Sequence, residues 1–138
     1  METYKCFFDG ACEPTTPGGN MGAGIVIVNG KAKIKDNIFV PASPENTCNV
    51  AEYMALIRVL ELMADKKNCN IKIYGDSMLV IEQMNDNWMI KNGAYKNWAI
   101  WAKRLLTNLK KENDVSVSWI CRDLNSEADE QSKLATNR

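Results

Sequence analysis

The order of apolar patterns along the chain restricts its fold more strongly than any other sequence feature. Three strand-like segments come first: YKCFF (4–8), AGIVIV (23–28) and KAKIKDNIFV (31–40). The first is predicted to end at the turn signal Asp9-Gly10, and the proline- and glycine-rich residues 9–22 are predicted to form a loop. The other two strands meet at Asn29-Gly30, a favoured hairpin turn.

The rest of the chain alternates between helical and strand-like periodicity. Helices are predicted at about 49–66, 77–87, 94–112 and from 126 onward, and strands at 71–74 and 115–120. Three antiparallel strands followed by this alternation predict a mixed α/β (α+β) fold. Its five-stranded sheet would carry helices on both faces. Residues 1–138 are predicted to form a single domain, because 138 residues are too few for two domains of ordinary size.

Composition narrows the class of protein. Apolar residues make up 46% of the chain and charged residues 25%, which is typical of a globular protein. No apolar run approaches the roughly 18 residues that span a bilayer, and the N-terminus lacks a secretion signal. We therefore expect a cytoplasmic protein without membrane association, and nothing demands more than a monomer. Five widely spaced cysteines without a C-x-x-C pair argue against a disulfide framework or a zinc site.

The segment from Trp88 to Lys111 is uneven in charge, because it contains basic residues and no acid. Its basic residues are Lys91, Lys96, Lys103, Arg104, Lys110 and Lys111, and its interleaved aromatics are Trp88, Tyr95, Trp98 and Trp101. A positive surface with aromatics can bind a phosphate backbone. A helix with a solvated basic face and a tryptophan-lined core face would explain the same pattern, so the segment alone leaves both interpretations open.

Glu52 occupies an unusual place for an acid. At about 100° per residue, the charged positions Arg58, Glu61 and Asp65 fall on the other side of the predicted helix. Glu52 shares its own face with Leu56, Val59, Leu60 and Met63. A carboxylate there would lose its hydration at a cost of several kcal/mol unless a bound cation neutralised it. Alternatively, Glu52 lies in the first turn, complements the helix dipole and bends out to solvent.

Three aspartates each have both a structural and a functional interpretation. Asp9 ends an aromatic strand, where it could simply begin an Asp-Gly turn. Asp76 lies at the end of a strand, where open sheets place their ligands, although Asp76 or Ser77 could instead cap the next helix. Asp129 starts the last helix, where it could form a capping box with Ser126.

Taken as a set, the four carboxylates favour a metal site. If the first strand is central, the ends of two strands and the starts of two helices can converge, and the acids would repel one another unless they bound hard cations. Carboxylate oxygens suit Mg²⁺ or Mn²⁺. Two such ions roughly 3.5–4 Å apart can activate a water and steady the leaving oxygen of a phosphodiester. A chain without histidine could thus perform hydrolytic nuclease chemistry.

Four segments, together with their order and spacing, resemble the type 1 ribonucleases H from about Tyr4 to Ala135. They are FFDGACEPTTPGG, NVAEYMALI, YGDSMLVIEQMN and WICRDLNSEADEQSKLA. The strings CEP, N-V-A-E-Y and R-x-x-N-x-x-A-D are most similar to the archaeal-like and plant-like subgroup, which lacks the active-site histidine. The resemblance implies a ribonuclease H-like fold and endonucleolytic hydrolysis of the RNA strand of RNA–DNA hybrids. The products would be 5′-phosphate and 3′-hydroxyl ends.

The same resemblance implies which residues form the site. Asp9, Glu52, Asp76 and Asp129 would be catalytic and would hold two Mg²⁺ or Mn²⁺ ions. Substrate-binding residues would be Gly10, Cys12, Thr47, Asn49, Trp88 and Lys91. The main chain at Gly10 and Cys12, with Asn49, would follow the RNA strand, and Thr47 would hold a phosphate of the DNA strand. Such short polar groups suit recognition of 2′-hydroxyls in a shallow minor groove.

Some positions depart from the family pattern. Thr16, Cys48 and Met78 replace the asparagine or glutamine that relatives commonly use to contact the hybrid. Arg122 lies where many relatives have a mobile loop with a histidine. We expect Arg122 to be a catalytic residue that assists the leaving phosphate or product release, unless it is a surface arginine paired with Asp123. Two alternatives remain open: a weak or inactive hybrid-binding domain, and a DNA-cutting nuclease of the same fold.

Overall fold

One five-stranded sheet organises the computed structural model, which describes residues 1–137. The strands are β1 (Thr3–Glu13), β2 (Asn20–Asn29), β3 (Ala32–Val40), β4 (Asn70–Gly75) and β5 (Asp114–Trp119). Their order is β3-β2-β1-β4-β5, with β1, β2 and β3 antiparallel and β1, β4 and β5 parallel. The predicted mixed sheet is therefore confirmed, and β1 occupies the central position that the predicted metal site requires.

Four α-helices accompany the sheet in the described part of the chain. They are α1 (Cys48–Met63), α2 (Met78–Met84), α3 (Lys96–Glu112) and α4 (Ser126–Thr136), and a short 3-10 helix (Arg122–Asn125) precedes α4. The helices predicted from periodicity are all present, with ends displaced by a few residues. None of the helices in residues 1–137 combines the length and apolar character needed to cross a membrane.

The predicted end of the first strand is wrong. Asp9 and Gly10 do not form a turn, because β1 continues through them to Glu13. The extension pairs with the start of β2, from Asp9 opposite Gly24 to Glu13 opposite Asn20, so its main-chain groups have partners in the sheet. The loop between the strands is therefore confined to residues 14–19, much shorter than the predicted loop at 9–22. The predicted hairpin between β2 and β3 is confirmed, although its turn is formed by Gly30 and Lys31 and Asn29 is the last residue of β2.

Glycines in the two central strands allow helices to lie directly on the sheet. A Cβ at Gly10 would lie 2.3 Å from the carbonyl carbon of Ala51 in α1. A Cβ at Gly24 would lie 2.1 Å from the carbonyl oxygen of Ala128 in α4. Gly24 pairs with Asp9, the neighbour of Gly10, and neighbouring strand residues point to opposite faces. Helices α1 and α4 therefore cover opposite faces of the sheet, as predicted.

The main hydrophobic core lies between the sheet and α1. Its largest fully buried side chains include Phe8, Ile25, Leu56, Leu60 and Ile73. Helix α1 is buried around most of its circumference because α3 packs against it on the side away from the sheet. Of the five cysteines, which are all free, Cys6, Cys12 and Cys69 are buried, whereas Cys48 and Cys121 are exposed.

Helix α3 does not have the tryptophan-lined core face that was one interpretation of its sequence. Trp98 and Trp101 are 37% and 48% exposed. The buried face of the helix consists of smaller or aliphatic side chains, namely Ala99, Ala102, Leu106 and Leu109. Small alanines allow α3 to approach α1 closely, and the indoles are left on the surface beside the basic side chains.

Replacing Gly24 with alanine should destabilise the protein by about 1–3 kcal/mol, because the added methyl group would force α4 away from the sheet. Urea unfolding would measure the loss. Gly30→Asn is the matched control, because Gly30 has no heavy atom near its Cβ position and asparagine tolerates its positive φ of 61°. Equal stability of the two variants would contradict the close packing at Gly24.

Candidate functional site

Three carboxylates from distant parts of the chain meet at one end of the sheet. Asp9, Glu52 and Asp76 each offer one oxygen, and these three oxygens lie within 4.8 Å of one another. The meeting is possible because β4 ends at Gly75, opposite Phe8, while β1 continues. Beyond that point the space beside β1 is free for the side chains.

The position of Glu52 follows from the close contact between α1 and β1. The Gly10 N–H donates to Glu52 Oε1 at 2.7 Å and to Asp9 Oδ1 at 3.0 Å. Helix α1 begins at Cys48 and is capped by Thr47, whose hydroxyl accepts the N–H of Val50 at 3.1 Å. Glu52 therefore lies beyond the first turn, and it is only 7% exposed. The alternative in which it bends out to solvent is wrong.

The main chain at Asp76 is fixed by a hydrogen bond from β5 and by the capping of the helix that follows. The indole N–H of Trp119, in the neighbouring strand β5, donates to the Asp76 carbonyl at 3.1 Å. Ser77 caps α2, because its hydroxyl accepts the N–H of Val80 at 3.4 Å. Ser77 performs the capping, so the side chain of Asp76 remains directed toward the other two acids.

Asp129 is not one of the three carboxylates that meet within 4.8 Å, although it lines the same cavity of about 310 Å³. It lies in the first turn of α4, close enough to Asp9 to affect its ionisation. The capping box predicted as its alternative role is not formed. Ser126 is already the first residue of the helix, and the capping position belongs to Asn125.

The carboxylates are poorly suited to carry negative charge without a counter-ion. Burial, with the nearby charges of Asp76 and Asp129, raises the pKa of Asp9 to about 7. Burial and the neighbouring Asp9 raise the pKa of Glu52 well above its ordinary value. Desolvation disfavours each charged form, and the like charges add to the effect. In the protein alone, this pair therefore tends to retain protons at neutral pH.

The donor atoms of this cluster fit a hard divalent cation. Within residues 1–137, the buried oxygens Glu52 Oε2 and Asp76 Oδ2 have no hydrogen-bond partner. A buried carboxylate oxygen without a partner is costly, and a cation would satisfy it. All the candidate ligands are carboxylate oxygens, the type that Mg²⁺ and Mn²⁺ prefer.

The cavity also contains several of the other residues predicted from the sequence. Arg122 and Asn49 line it, as does Cys48. Arg122 is exposed, as in its alternative interpretation, but in the part of the chain that the structure describes it forms no ion pair with Asp123. Thr16 approaches from the loop after β1, where its hydroxyl accepts the N–H of Cys48 at 3.2 Å.

Of the four remaining positions, Cys12 also lines this cavity, whereas Met78, Trp88 and Lys91 lie outside it. The Cys12 side chain is buried, and its thiol donates to the Thr15 carbonyl, so only its main chain is available for a substrate. Met78 is 43% exposed at the start of α2. Trp88 and Lys91 line a different groove of about 460 Å³, which also contains Gln83.

Sequence reasoning missed two residues beside the carboxylates. Lys133 lies one turn after Asp129, lines the cavity and forms an ion pair with Glu13. Its four-residue spacing from Asp129 was a usable signal.

Asn125 is buried, and its amide donates to the Phe8 carbonyl at 2.9 Å, which ties the start of α4 to β1 beside Asp9. Nothing in the local sequence distinguishes this asparagine from an ordinary turn residue.

In metal-free protein, Asp9→Asn should increase stability at pH 8 by on the order of 2–4 kcal/mol. The free energy of unfolding of the wild-type protein should fall as the pH rises from about 3.8 to about 7, because the folded state keeps Asp9 protonated over that interval and the unfolded state does not. The variant carries no carboxyl group at position 9 and should not show this fall. Urea unfolding between pH 4 and 8 would measure the difference. Asp65→Asn, at a side chain that is 83% exposed, is the control, and identical pH profiles for both variants would contradict the prediction.

Comparison with known proteins agrees with this arrangement. Residues 7–135 match the family described as "Reverse transcriptase-like". Ribonuclease H of Chlorobaculum parvum is 31% identical over 111 residues, which cover 78% of this chain and 68% of the relative. Ribonuclease HI of Halobacterium salinarum is 33% identical over 127 residues, with coverages of 89% and 59%.

Solved structures show the same fold. RNase H1 from the halophilic archaeon Halobacterium salinarum matches with a TM-score of 0.81 and 28% identity, covering 98% of both chains. LC11-RNase H1, solved in complex with an RNA/DNA hybrid, matches in fold with a TM-score of 0.82 at 24% identity, covering 97% of this chain and 96% of the other. From the match across residues 7–135 and the identity to ribonucleases H, the chain belongs to the type 1 ribonuclease H family.

Proposed function

We propose that this protein hydrolyses the RNA strand of RNA–DNA hybrids endonucleolytically and leaves 5′-phosphate and 3′-hydroxyl ends. The observation that carries the proposal is the meeting of Asp9, Glu52 and Asp76, with buried oxygens that have no protein partner within residues 1–137. Membership of the ribonuclease H family supports the reaction. The hybrid bound to LC11-RNase H1, which shares the fold, supports the substrate.

The carboxylates would hold the metal ions. Asp9, Glu52 and Asp76 are the central ligands in this proposal, and Asp129 adds a fourth carboxylate at the wall of the cavity. Two Mg²⁺ or Mn²⁺ ions bound there would supply activation of water and stabilisation of the charge on the leaving oxygen. Asp9 and Glu52 would hold these ions as carboxylates, because a neighbouring positive charge favours the ionised form of each carboxyl group.

The Gly10 N–H fixes the relative positions of two of the carboxylates. It binds one oxygen of Glu52 and one of Asp9, so the two carboxylates are fixed relative to each other before any ligand arrives. Such preorganisation avoids rearrangement of the acids during the reaction. Glycine is required at this position, because any side chain would collide with the main chain of α1 at Ala51 and Glu52.

Two cations of the chain itself complement this negative site. We assign Arg122, which lines the cavity, to the leaving phosphate or to product release. Lys133 lies in the same cavity and is paired with Glu13. Both bring positive charge near the place where a phosphate would enter, and the planar guanidinium of Arg122 can bind two phosphate oxygens at once.

Residues around the carboxylates would contact both strands of the hybrid. The main chain at Gly10 and Cys12, with Asn49, would contact the RNA strand, whose 2′-hydroxyls distinguish it from DNA. The Thr47 hydroxyl already accepts the N–H of Val50, which leaves its own hydrogen free to donate to a phosphate of the DNA strand. Trp88 and Lys91 offer a stacking surface and a positive charge in their separate groove.

A cytoplasmic location and a monomeric state complete the proposal. Both rest on the composition of the chain, which resembles that of an ordinary globular protein. Light scattering of the purified protein would test the oligomeric state, and a mass of twice 15.5 kDa would reject the monomer.

Asp76→Asn should reduce cleavage of a labelled RNA–DNA hybrid by on the order of 100-fold or more, because it removes a charged metal ligand. A gel assay in Mg²⁺ and in Mn²⁺ would measure the rate, with Asp65→Asn as an exposed control expected to retain wild-type activity. Duplex RNA and duplex DNA should remain uncut. Hybrid binding without cleavage in either metal would instead favour the inactive binding domain, and cleavage of duplex DNA would favour a DNA-cutting nuclease.

Saturating Mg²⁺ or Mn²⁺ should raise the Tm of the wild-type protein, because the folded carboxylate cluster binds the ion and the unfolded chain does not. At 100 times the Kd, the expected stabilisation is about 2.7 kcal/mol. Calorimetry with and without metal would measure it. Glu52→Gln should show little or no metal-dependent shift, and a shift as large as in wild type would remove Glu52 from the proposed ligands.

A further inference from the structure

A buried glutamine connects the substrate groove with the helices behind it. Gln83 in α2 is 2% exposed, and its side-chain oxygen accepts the hydroxyl of Tyr53 in α1. Its amide nitrogen donates to the Met89 carbonyl at 3.0 Å and to the Tyr95 hydroxyl at 3.2 Å. One side chain therefore makes hydrogen bonds to three separate parts of the chain.

The two tyrosines make this arrangement rigid. Tyr53 and Tyr95 stack with ring centroids 5.9 Å apart and an angle of 5° between the rings. Tyr53 is fully buried directly after Glu52, and Tyr95 immediately precedes α3. Stacking and burial fix the positions of the two tyrosine hydroxyls that bond to the Gln83 amide. The orientation of the amide is therefore fixed as well, with its nitrogen facing the Met89 carbonyl.

The segment that Gln83 reaches is otherwise held at Trp88, whose N–H donates to the Glu82 carbonyl at 3.2 Å, and at Ile90, whose side chain packs against the hydrophobic core. Residues 88–91 lie in the connection between α2 and α3, outside any helix or strand. Among residues 1–137, the bond from Gln83 is the one hydrogen bond that reaches the main chain of Met89, Ile90 or Lys91. Met89 itself is 81% exposed, so packing of its side chain cannot replace this bond.

The held segment carries the groove residues assigned to the hybrid. Trp88 and Lys91 flank the Met89 carbonyl in sequence and line the groove of about 460 Å³, of which Gln83 forms part. Trp88 is 47% exposed, which leaves its ring open to stack on a sugar or a base. If the Met89 carbonyl were released, the indole and the ammonium group would lose their fixed separation.

We propose that Gln83 is a positioning residue: through its bond to the Met89 carbonyl it holds Trp88 and Lys91 in the arrangement that receives the nucleic-acid strand. This inference rests on the proposed function, because it assumes that Trp88 and Lys91 contact the hybrid. Gln83 acts on binding and does not touch the reacting phosphate. Substitution of Gln83 should therefore weaken binding of the hybrid and leave the rate of the hydrolytic step unchanged.

Gln83→Met tests the proposal, because methionine keeps the length and apolar character of the side chain but removes its hydrogen bonds. In steady-state cleavage of a labelled hybrid, KM should rise about 5- to 10-fold, while kcat stays within about twofold of wild type. The variant Ile27→Ala, in the buried core beneath α1, is the matched control for a general loss of stability and should leave KM unchanged. A fall in kcat with unchanged KM would overturn the proposal.

A mutant cycle on the background Trp88→Ala/Lys91→Ala separates positioning from an independent effect. If Gln83 acts through the Trp88–Lys91 segment, adding Gln83→Met to this background should leave KM nearly unchanged, because both groups to be positioned are already absent. A rise in KM as large as Gln83→Met causes in the wild-type background would show that Gln83 does not act through this segment.

Amide hydrogen exchange without nucleic acid provides a readout that does not depend on the proposed function. Exchange of the Trp88 N–H, which donates to the Glu82 carbonyl at 3.2 Å, should be faster in Gln83→Met than in wild type or in Ile27→Ala, because release of the Met89 carbonyl loosens the adjoining residue. Unchanged exchange would overturn the positioning role even if the wild-type enzyme cleaves hybrids. Faster exchange in a protein that neither binds nor cleaves hybrids would uphold the hydrogen-bonded support and reject the substrate role of the groove.

Discussion

Mutual repulsion among buried carboxylates is the constraint on which the rest of the structure depends. Asp9 and Glu52 are almost inaccessible to water, and Asp76 brings a third acid within 4.8 Å of them. Folding alone would not favour such a cluster, since burial and like charges raise the pKa of both buried acids. The fold must therefore hold the acids in place by other contacts, and their charge can be balanced when a cation binds.

Those other contacts belong to the architecture of the sheet. Glycines at positions 10 and 24 bring α1 and α4 onto opposite faces of β1 and β2, and each helix delivers one acid to the same end of the sheet. Asn125 fixes the start of α4 to β1, and Trp119 fixes the main chain at Asp76. Packing and main-chain hydrogen bonds in this way offset the electrostatic cost of the cluster.

Much of this could be predicted from the sequence. Apolar periodicity predicted the strands and the helices, and the apolar face of α1 made the burial of Glu52 one of two interpretations. The extent of β1 could not be predicted, because it depends on pairing with β2, a contact between residues distant in sequence. For the same reason the local pattern did not reveal the amide bond of Asn125 or the exposed tryptophans of α3. Lys133 differs, because its four-residue spacing from Asp129 on one helix could have placed it beside the acids.

The early end of β4 has a consequence for how this protein tolerates sequence change. Beyond Phe8, β1 has lost its parallel neighbour, and the Gly10 N–H points into the vacated space toward Glu52. Because alternate residues of a strand direct their amide groups the same way, the peptide groups of Cys12 face that space too. A ligand held by peptide groups is insensitive to side-chain identity. Under the proposed binding of the RNA strand to these peptide groups, relatives of this fold could exchange residues 11 and 12 without losing that contact, provided the new side chains still pack.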